Sequence, residues 1–378
     1  MTVASRQPKV VIVHERFSEM GGSEKVVEQM KLLWSDARVF APIADPSVVA
    51  AAGLPPTVSV SPLQRLYRGG STYAHLLPLL PLAMSRANLS TASGQDPDLV
   101  VTSHHAFANR VRPPDNVPTV SYTHTPARWL WDQSKSNLEA GRLGAAGLAG
   151  FACTQRGPDK AAAARITRII ANSRAVQQRV QDWWGRECVV IPPPVSVDHF
   201  TMDATVPRED FFLIAGRLVP YKRPDLAVAA AVKADVRLVV AGEGRYEDEC
   251  RRLAGSNIEF KGRVSDDELR SLYRRCAALI MPGEEDFGII PVEAQACGAP
   301  VIALGAGGAL DSVLPGVTGE HVPPTAPQNQ VAGFAAAMES FRSQDYDPQA
   351  IRAHAETFAP ESFRSRLNAV ANEAMAAG

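Results

Sequence analysis

The chain has 378 residues, and at about 100 to 200 residues per domain it is long enough for two domains with separate cores, which excludes a single small module. Lysine and arginine total 39 against 40 acidic residues, a formal charge of -1, so wholesale attraction to nucleic acid is excluded and any contact with an anionic surface has to be local. Hydrophobic residues make up 46% and charged residues 21%, the balance of an ordinary folded protein and not of a disordered or fibrous one.

No run reaches the roughly 18 consecutive apolar residues that a membrane-spanning helix needs. The opening MTVASRQPKVVIVHERF reads as a polar stub entering a short strand, not as a leader. The five cysteines (Cys153, Cys188, Cys250, Cys276, Cys297) lack close spacing, so neither a disulfide framework nor a CxxC metal site is indicated, and a reducing cytoplasm is the expected setting.

Short β-branched runs alternate with longer helical patterns, which predicts an α/β chain with parallel sheets covered by helices. In the first half the expected strands are Lys9–His14, Ala37–Phe40, Leu99–Thr102, Thr119–Tyr122, Ile166–Ala171 and Glu187–Ile191. In the second they are Phe211–Ala215, Val236–Ala241, Ile258–Phe260, Ala278–Met281, Val301–Ala303 and Glu320–Val322. Pro192, Pro193 and Pro194 form a stiff break between the sets. The expected division is therefore a domain over 1–194 and a second over 195–359, with the helical segment 360–378 a candidate to pack back onto the first. Each half reads as a doubly wound, Rossmann-like unit, where ligands lie at the carboxyl ends of the strands, so the active site is expected between the halves.

The motifs follow in chain order. HERFSEMGGSEKVVEQM places Gly21 and Gly22 after the first strand with Ser23 as an expected N-cap, either a tight turn or a close approach of backbone to ligand. SPLQRLYRGGSTYAHLLPLLPLAMSRANLS mixes Arg65, Arg68 and Arg86 with many leucines, and Pro78 and Pro81 forbid one continuous helix. Part of this apolar surface is expected to cover the sheet, and the remainder to form a rim for an anionic membrane interface. Asp96-Pro97-Asp98 fits a DxD metal string but precedes a strand, so it reads as a turn. In SYTHTPARWLWD, His124 follows a strand end, with Arg128, Trp129, Trp131 and Asp132 after it; taken alone, a lone histidine and aromatics of this kind are more often core.

FFLIAGRLVPYKRPDLAVAAAV gathers Arg217 and Lys222 ahead of Pro224, the expected first residue of a helix, which makes either a diphosphate site or a solvated basic loop. Gly242-Glu243-Gly244 lacks the third glycine of a dinucleotide fingerprint. MPGEEDFGIIPVEAQACGAPV puts Glu285 in a loop and Glu293 in a short helix begun near Pro291 and closed by Gly298, with the backbone of Phe287, Gly288 and Ile289 between the carboxylates. Such acids either accept hydrogen bonds from sugar hydroxyls or merely complement a helix dipole.

GRLVPYK followed by GEEDFGIIPVEAQACGAPVIA, with AGEGRYEDE, FKGRVSDDELRSLYRRC and GAGGALDSVLPGVTGEHV in order, resembles the retaining nucleotide-sugar glycosyltransferases of family four, which have the GT-B fold. The resemblance implies that Arg217 and Lys222 grip the donor pyrophosphate, with Gly22 and its neighbour Gly21 beside the phosphates. Glu293 would hold the ribose, and the backbone of Arg263 and Val264 would frame the base. Glu285 with Phe287, Gly288 and Ile289 would hold the transferred sugar. The chain departs from that family's usual E-G-F-G by carrying Asp286, which puts the loop geometry in doubt. YxHTPxRxxWD and PDLVVTSHHAFANRV resemble a subgroup typified by O-antigen mannosyltransferases, which implies GDP-mannose as donor and His124 with Arg128 beside sugar and acceptor.

The implied activity is transfer of a hexose onto a hydroxyl of a glycan, glycolipid or lipid-linked acceptor, with no metal or other cofactor and no nucleic-acid partner, at the inner face of the membrane or in the cytoplasm. Three rivals stay open: a UDP-sugar enzyme acting on a small acceptor, a sugar-nucleotide 2-epimerase, and a non-catalytic nucleotide-sugar-binding protein.

Overall fold

The computed structural model describes residues 7–132 and 136–377; the polar opening at 1–6 lies outside them. Its contacts divide the chain into two units, one running to Pro194 and resuming at Glu361, the other spanning Val195–Pro360.

The first unit is built on parallel strands β1 (Val10–His14), β2 (Arg38–Ala41), β3 (Ser59–Val60), β4 (Leu99–His104), β5 (Thr119–Thr123), β6 (Arg168–Ala171) and β7 (Val189–Val190), in the order β3-β2-β1-β4-β5-β6-β7. Alternation along each strand sends neighbouring side chains to opposite faces, and both faces are covered, so every residue of β1, β4 and β5 is buried, including the polar threonines, serines and histidine of β4 and β5. Val10, Ile12, Leu99, Val101, Val120 and Tyr122 join one core cluster, whereas Val11, Val13 and Val100 join another with Leu80, Met84 and Phe107.

The helix Pro360–Ala377 brings Phe363, Leu367, Ala371 and Ala374 into the first of these clusters at helical spacing. Phe363 meets the Tyr122 ring edge-on at 5.4 Å between centroids. Arg364 donates to the Gln29 amide on the helix Gly22–Leu33.

The second unit repeats the plan with β8 (Phe212–Ala215), β9 (Leu238–Ala241), β10 (Ile258–Gly262), β11 (Ala278–Met281), β12 (Val301–Leu304) and β13 (Gly319–Val322), again parallel, in the order β10-β9-β8-β11-β12-β13. Leu213, Val239, Leu279 and Val301 line one face and Phe212, Val240, Ala278 and Ile302 the other. In both sheets the strand order reverses beside the first strand, between β1 and β4 and between β8 and β11, and the reversal opens a crevice at the carboxyl ends.

Two expectations need correction. The strand β3 has only two residues on the sheet edge, too short to leave a periodic signature, and it lies in none of the expected runs. The helix after β1 is capped by Gly21, not by Ser23, which sits in the first turn and turns its hydroxyl onto Glu24 Oε2 at 2.9 Å.

The placement of the last helix generates a stability prediction. Leu367 is fully buried in the first unit's core, so Leu367→Ala is expected to cost about 2–5 kcal/mol in denaturant unfolding. A loss of less than about 1 kcal/mol, the size seen for a surface change, would mean that this helix does not complete that core.

Candidate active site

In the second unit β8 ends at Ala215, and Gly216, at φ +105°, turns the chain into the loop that carries Arg217. A single 3-10 turn, Pro220–Lys222, follows, then Arg223 in the left-handed region and Pro224 as the first residue of the helix Pro224–Lys233. Beside it β11 ends at Met281, and the chain passes through Pro282 and Gly283 to Glu285. A Cβ on Gly283 would stand 2.6 Å from Lys222 Cα and 2.7 Å from the Tyr221 and Lys222 carbonyl oxygens. Only a residue without a side chain lets these loops touch. Their contact brings Lys222 Nζ to 2.5 Å from Glu285 Oε1, with the two side chains 16% and 22% exposed. Arg217, Lys222 and Glu285 line one small cavity together with Pro282, Ile290 and Pro291.

Gly308 packs a second loop against this one: its N–H donates to the Glu285 carbonyl at 2.9 Å, and a Cβ would lie 2.2 Å from Phe287 Cα. The Phe287 ring is buried against Phe358, so it is the backbone of Phe287 that is on offer. Gly288, at φ +84°, caps the helix Ile289–Ala296, which carries Glu293 nearly buried at 6% exposure. Asp286 stands where a glycine was expected but does not have positive φ, so the exchange demands no strained backbone. The Arg263 side chain is exposed, and the Arg263 backbone N–H donates to Glu243 Oε1 at 3.2 Å, while Val264 packs against the core. The Gly242 and Gly244 pair is explained by packing, because a Cβ at either position would strike the backbone of Gly216 or Leu218.

The first unit has a polar cluster at the carboxyl ends of β1, β4 and β5. Glu15 is fully buried, and its carboxylate accepts from the N–H groups of Ala106, Phe107 and Ala108 at 3.2, 2.7 and 2.9 Å, tying the loop after β1 to that after β4. His14 reaches Glu24 Oε1 through Nε2 and Ser103 Oγ through Nδ1, each at 3.1 Å, and Ser103 Oγ lies 2.9 Å from His124 Nε2. Arg16 donates to His105 Nε2 at 2.9 Å and stacks over the Tyr73 ring at 4.2 Å. Gly21 precedes Glu24 in extended backbone, and a Cβ there would come within 3.2 Å of the Glu24 carboxylate; Gly22 opens the helix.

Burial pushes the His124 ring down to about 3, assisted by the charge of His14, and pushes His104 down to about 3 as well, so both are neutral near pH 7. Burial opposes charge on Glu24, yet hydrogen bonds and charge from His14, with a further bond from Ser23, bring its carboxyl below the ordinary range.

Arg128 begins the short helix Arg128–Trp131 after β5 and is partly buried. The neighbouring aromatics are core: Trp129 stacks on Phe151 and packs edge-on to Phe107, and Trp131 joins Trp184 in donating indole N–H bonds to Asp159. Asp98 accepts the Lys9 N–H at 2.8 Å at the amino end of β4, the sheet edge opposite this cluster.

Sequence reasoning missed His14, Glu15, Arg16, Glu24, Ser103 and His105. The available signal was polar residues closing otherwise apolar strands, in VHER and SHH.

The proline-broken segment divides as its composition implied. Tyr67, Leu76 and Leu80 are buried, whereas Leu66, Leu79 and Leu82 are exposed at 57, 43 and 48%. Leu79, Leu82 and Val60 line an apolar groove edged by Arg38 and Arg86. Among the described residues, no helix is long and apolar enough to cross a membrane.

Each unit is thus a doubly wound, Rossmann-like fold, and the second gathers a cationic loop and two acidic positions at its switch point. The family described as Glycosyltransferase Family 4 matches residues 20–199 and Glycosyl transferases group 1 matches residues 203–352, and the chain belongs to these GT-B glycosyltransferases. A D-inositol 3-phosphate glycosyltransferase of Geodermatophilus obscurus is 33% identical over 207 residues, 46% of each chain. A GDP-mannose-dependent monoacylated alpha-(1-6)-phosphatidylinositol monomannoside mannosyltransferase of Corynebacterium glutamicum is 37% identical over 115 residues, 26% of this chain and 30% of that protein. These matches thus span less than half the length of the relatives. Among solved structures, sucrose-phosphate synthase from Thermosynechococcus elongatus aligns over 98% of this chain and 100% of its own at TM-score 0.71 and 18% identity. Anabaena HepE in complex with UDP aligns over 97% and 100% at TM-score 0.65 and 18% identity.

His104 and His124, two of the histidines that burial depresses, give a pH prediction. Unfolded, each ring takes a proton as pH falls below its ordinary value near 6.5; folded, each resists until about 3. The unfolded chain therefore binds more protons in that window, and these rings make stability fall as pH drops from about 6.5 to 3, by up to about 1.4 kcal/mol per pH unit for each ring. Urea midpoints are expected to be lower at pH 5 than at pH 7.5, with a smaller difference in His104→Gln. Equal midpoints in the parent would contradict burial of these rings in neutral form.

Proposed function

We propose that the chain is a retaining hexosyltransferase that moves mannose from GDP-mannose onto a hydroxyl of a glycan, glycolipid or lipid-linked acceptor. The observation that carries this reading is the Lys222–Glu285 pair at 2.5 Å on the β8/β11 switch point, with Glu293 nearly buried on the adjoining helix. A cation is held where a diphosphate would lie, and carboxylates are held at two depths for sugar and ribose hydroxyls. Mannose is preferred on the resemblance of YTHTPARWLWD and on the similarity to the Corynebacterium mannosyltransferase; the UDP-bound Anabaena structure makes a UDP-sugar the reading to test against it.

In this proposal Arg217 and Lys222 stabilise the departing diphosphate, so that no metal is required. In the present structure Glu285 is the anion on Lys222; the donor's phosphates take its place, and the freed carboxylate turns to the sugar with the backbone N–H groups of Phe287, Gly288 and Ile289. Glu293 holds the ribose, and the backbone of Arg263 and Val264 frames the base. On the first unit, Gly21 and Gly22 serve the phosphates, and His124 and Arg128 the sugar and acceptor. The bond from the anomeric carbon to the diphosphate oxygen breaks, a bond to the acceptor oxygen forms on the same face, and the acceptor's proton passes to the leaving phosphate.

Turnover is tested by release of GDP or UDP from a panel of nucleotide sugars with an acceptor present; C2 inversion without release would mean an epimerase, and neither would mean a binding protein. Replacing Arg217 or Lys222 by alanine is expected to cost about 3 kcal/mol of transition-state stabilisation each. In calorimetric titration Glu293→Ala weakens free GDP, whereas Glu285→Ala binds free GDP at least as well as the parent and loses use of the intact sugar nucleotide. Equal losses for both ligands in both variants would overturn this division of roles.

The acceptor side of the proposal rests on the groove of Val60, Leu79 and Leu82, edged by Arg86, with Arg65 and Arg68 exposed on the same proline-broken segment. An apolar surface edged by arginines suits the interface of an anionic leaflet on the cytoplasmic side, each cation adding on the order of 1 kcal/mol. Sedimentation with vesicles containing an anionic lipid is expected to show salt-sensitive binding that falls when Leu79 and Leu82 become serine and when Arg65 and Arg68 become glutamate. No binding at low salt would point to a soluble acceptor.

A further inference from the structure

The hydrogen bonds at the ends of β1, β4 and β5 run unbroken from a carboxylate to the ring proposed to face the substrate: Glu24 to His14, His14 to Ser103, Ser103 to His124. The chain's polarity follows from donor counting. A neutral His14 gives its single N–H to the Glu24 carboxylate through Nε2, which leaves Nδ1 as an acceptor for the Ser103 hydroxyl. Ser103 has one proton, so its oxygen must accept from His124 Nε2–H. The nitrogen left for a ligand on this partly exposed ring is then Nδ1, carrying a lone pair and no proton. If His14 takes a second proton, its Nδ1 becomes a donor, the hydroxyl turns over to donate to His124 Nε2, and a neutral His124 must carry its proton on Nδ1.

We infer that Glu24, His14 and Ser103 are positioning residues that set the tautomer of His124, so that it accepts a hydrogen bond from a substrate hydroxyl when His14 is neutral and donates one when His14 is protonated. The inference rests on the proposed place of His124 beside sugar or acceptor. Other groups around His14 leave the chain intact: the His105 ring, 6.3 Å away, is held by Arg16 as an acceptor at Nε2, Glu15 is occupied by three backbone N–H groups, and Phe17 covers the ring at 4.6 Å. Glu24 is the anion that faces His14, at 3.1 Å from its Nε2.

The test is nitrogen-15 NMR of the histidine rings in the full chain across a pH series, with kinetics on the same protein. At pH 8 His124 is expected to be protonated at Nε2 alone, to convert to the Nδ1–H form on acidification as His14 gains its second proton, and to populate both tautomers in Ser103→Ala. Glu24→Gln keeps an acceptor for the His14 Nε2–H, so the Nε2–H form of His124 at pH 8 is expected to survive, whereas Glu24→Leu removes that acceptor and is expected to populate both tautomers of His124. Ser103→Ala is expected to lower kcat about tenfold, the worth of one aligned hydrogen bond, with little change in donor KM. An Nδ1–H His124 at pH 8, or one tautomer mixture shared by the parent and Ser103→Ala, overturns the inference. The expected spectra without turnover of any sugar nucleotide would leave the tautomer chain standing and overturn the proposed enzyme.

Discussion

The closeness of two loops at Gly283 is the constraint on which the second unit's site depends. Parallel strands deliver their loops side by side at a switch point, but strands in a sheet are about 4.8 Å apart, and loops with ordinary side chains would stand further off still. At Gly283 the backbone comes so near Lys222 that a Cβ would lie 2.6 Å from its Cα. That approach lets an ammonium on one loop meet a carboxylate on the other. Gly308 does the same for the far side of the acidic loop, with 2.2 Å to Phe287 Cα. The glycines of this region are therefore explained by contact, and their positions in the sequence record where backbones must meet.

The first unit solves the same problem with charge. Glu15 is a fully buried carboxylate, and burying an anion is costly unless it is hydrogen-bonded. Three successive backbone N–H groups from the loop after β4 satisfy it. This fixes the loop that presents His105 against the strand end that presents His14. In consequence His104, His105 and His124 lie in packing that pushes their rings below the ordinary histidine range and keeps them neutral near pH 7.

Much of this was legible in the sequence. The apolar, β-branched strands, the helical stretches between them and the basic and acidic motifs around Lys222 and Glu285 all leave local signatures. The places of Pro224 as a first helical residue and of Gly298 just past a helix end were readable because they depend on residues a few positions apart. What could not be read depends on residues far apart in the chain: Glu15 with 106–108, His14 with Ser103, and Gly283 with Lys222 are joined only by the parallel topology. Ser23 misled because serine is a good N-cap by itself, whereas the helix starts two residues earlier, where Gly21 gives the extended backbone and Ser23 serves Glu24. The strand β3 escaped because two residues cannot show a period.

The resting pair of Lys222 and Glu285 has a consequence for how such a site stays ready for ligand. A lone ammonium in a cavity of this kind would carry an uncompensated desolvation cost, and removing one partner of a partly buried pair is more damaging than the pair's net worth suggests. Glu285 offsets that cost while no anion is bound. In the proposed function a diphosphate would bring more negative charge than one carboxylate and present it to Arg217 and Lys222 together, and so would displace Glu285. The displaced carboxylate, its backbone held by Gly308 through the Glu285 carbonyl, would then be a strong acceptor for the sugar. On that proposal an intact sugar nucleotide would satisfy both halves of the opened pair and a bare nucleoside diphosphate only the cations, so discrimination between them would lie in the same two side chains.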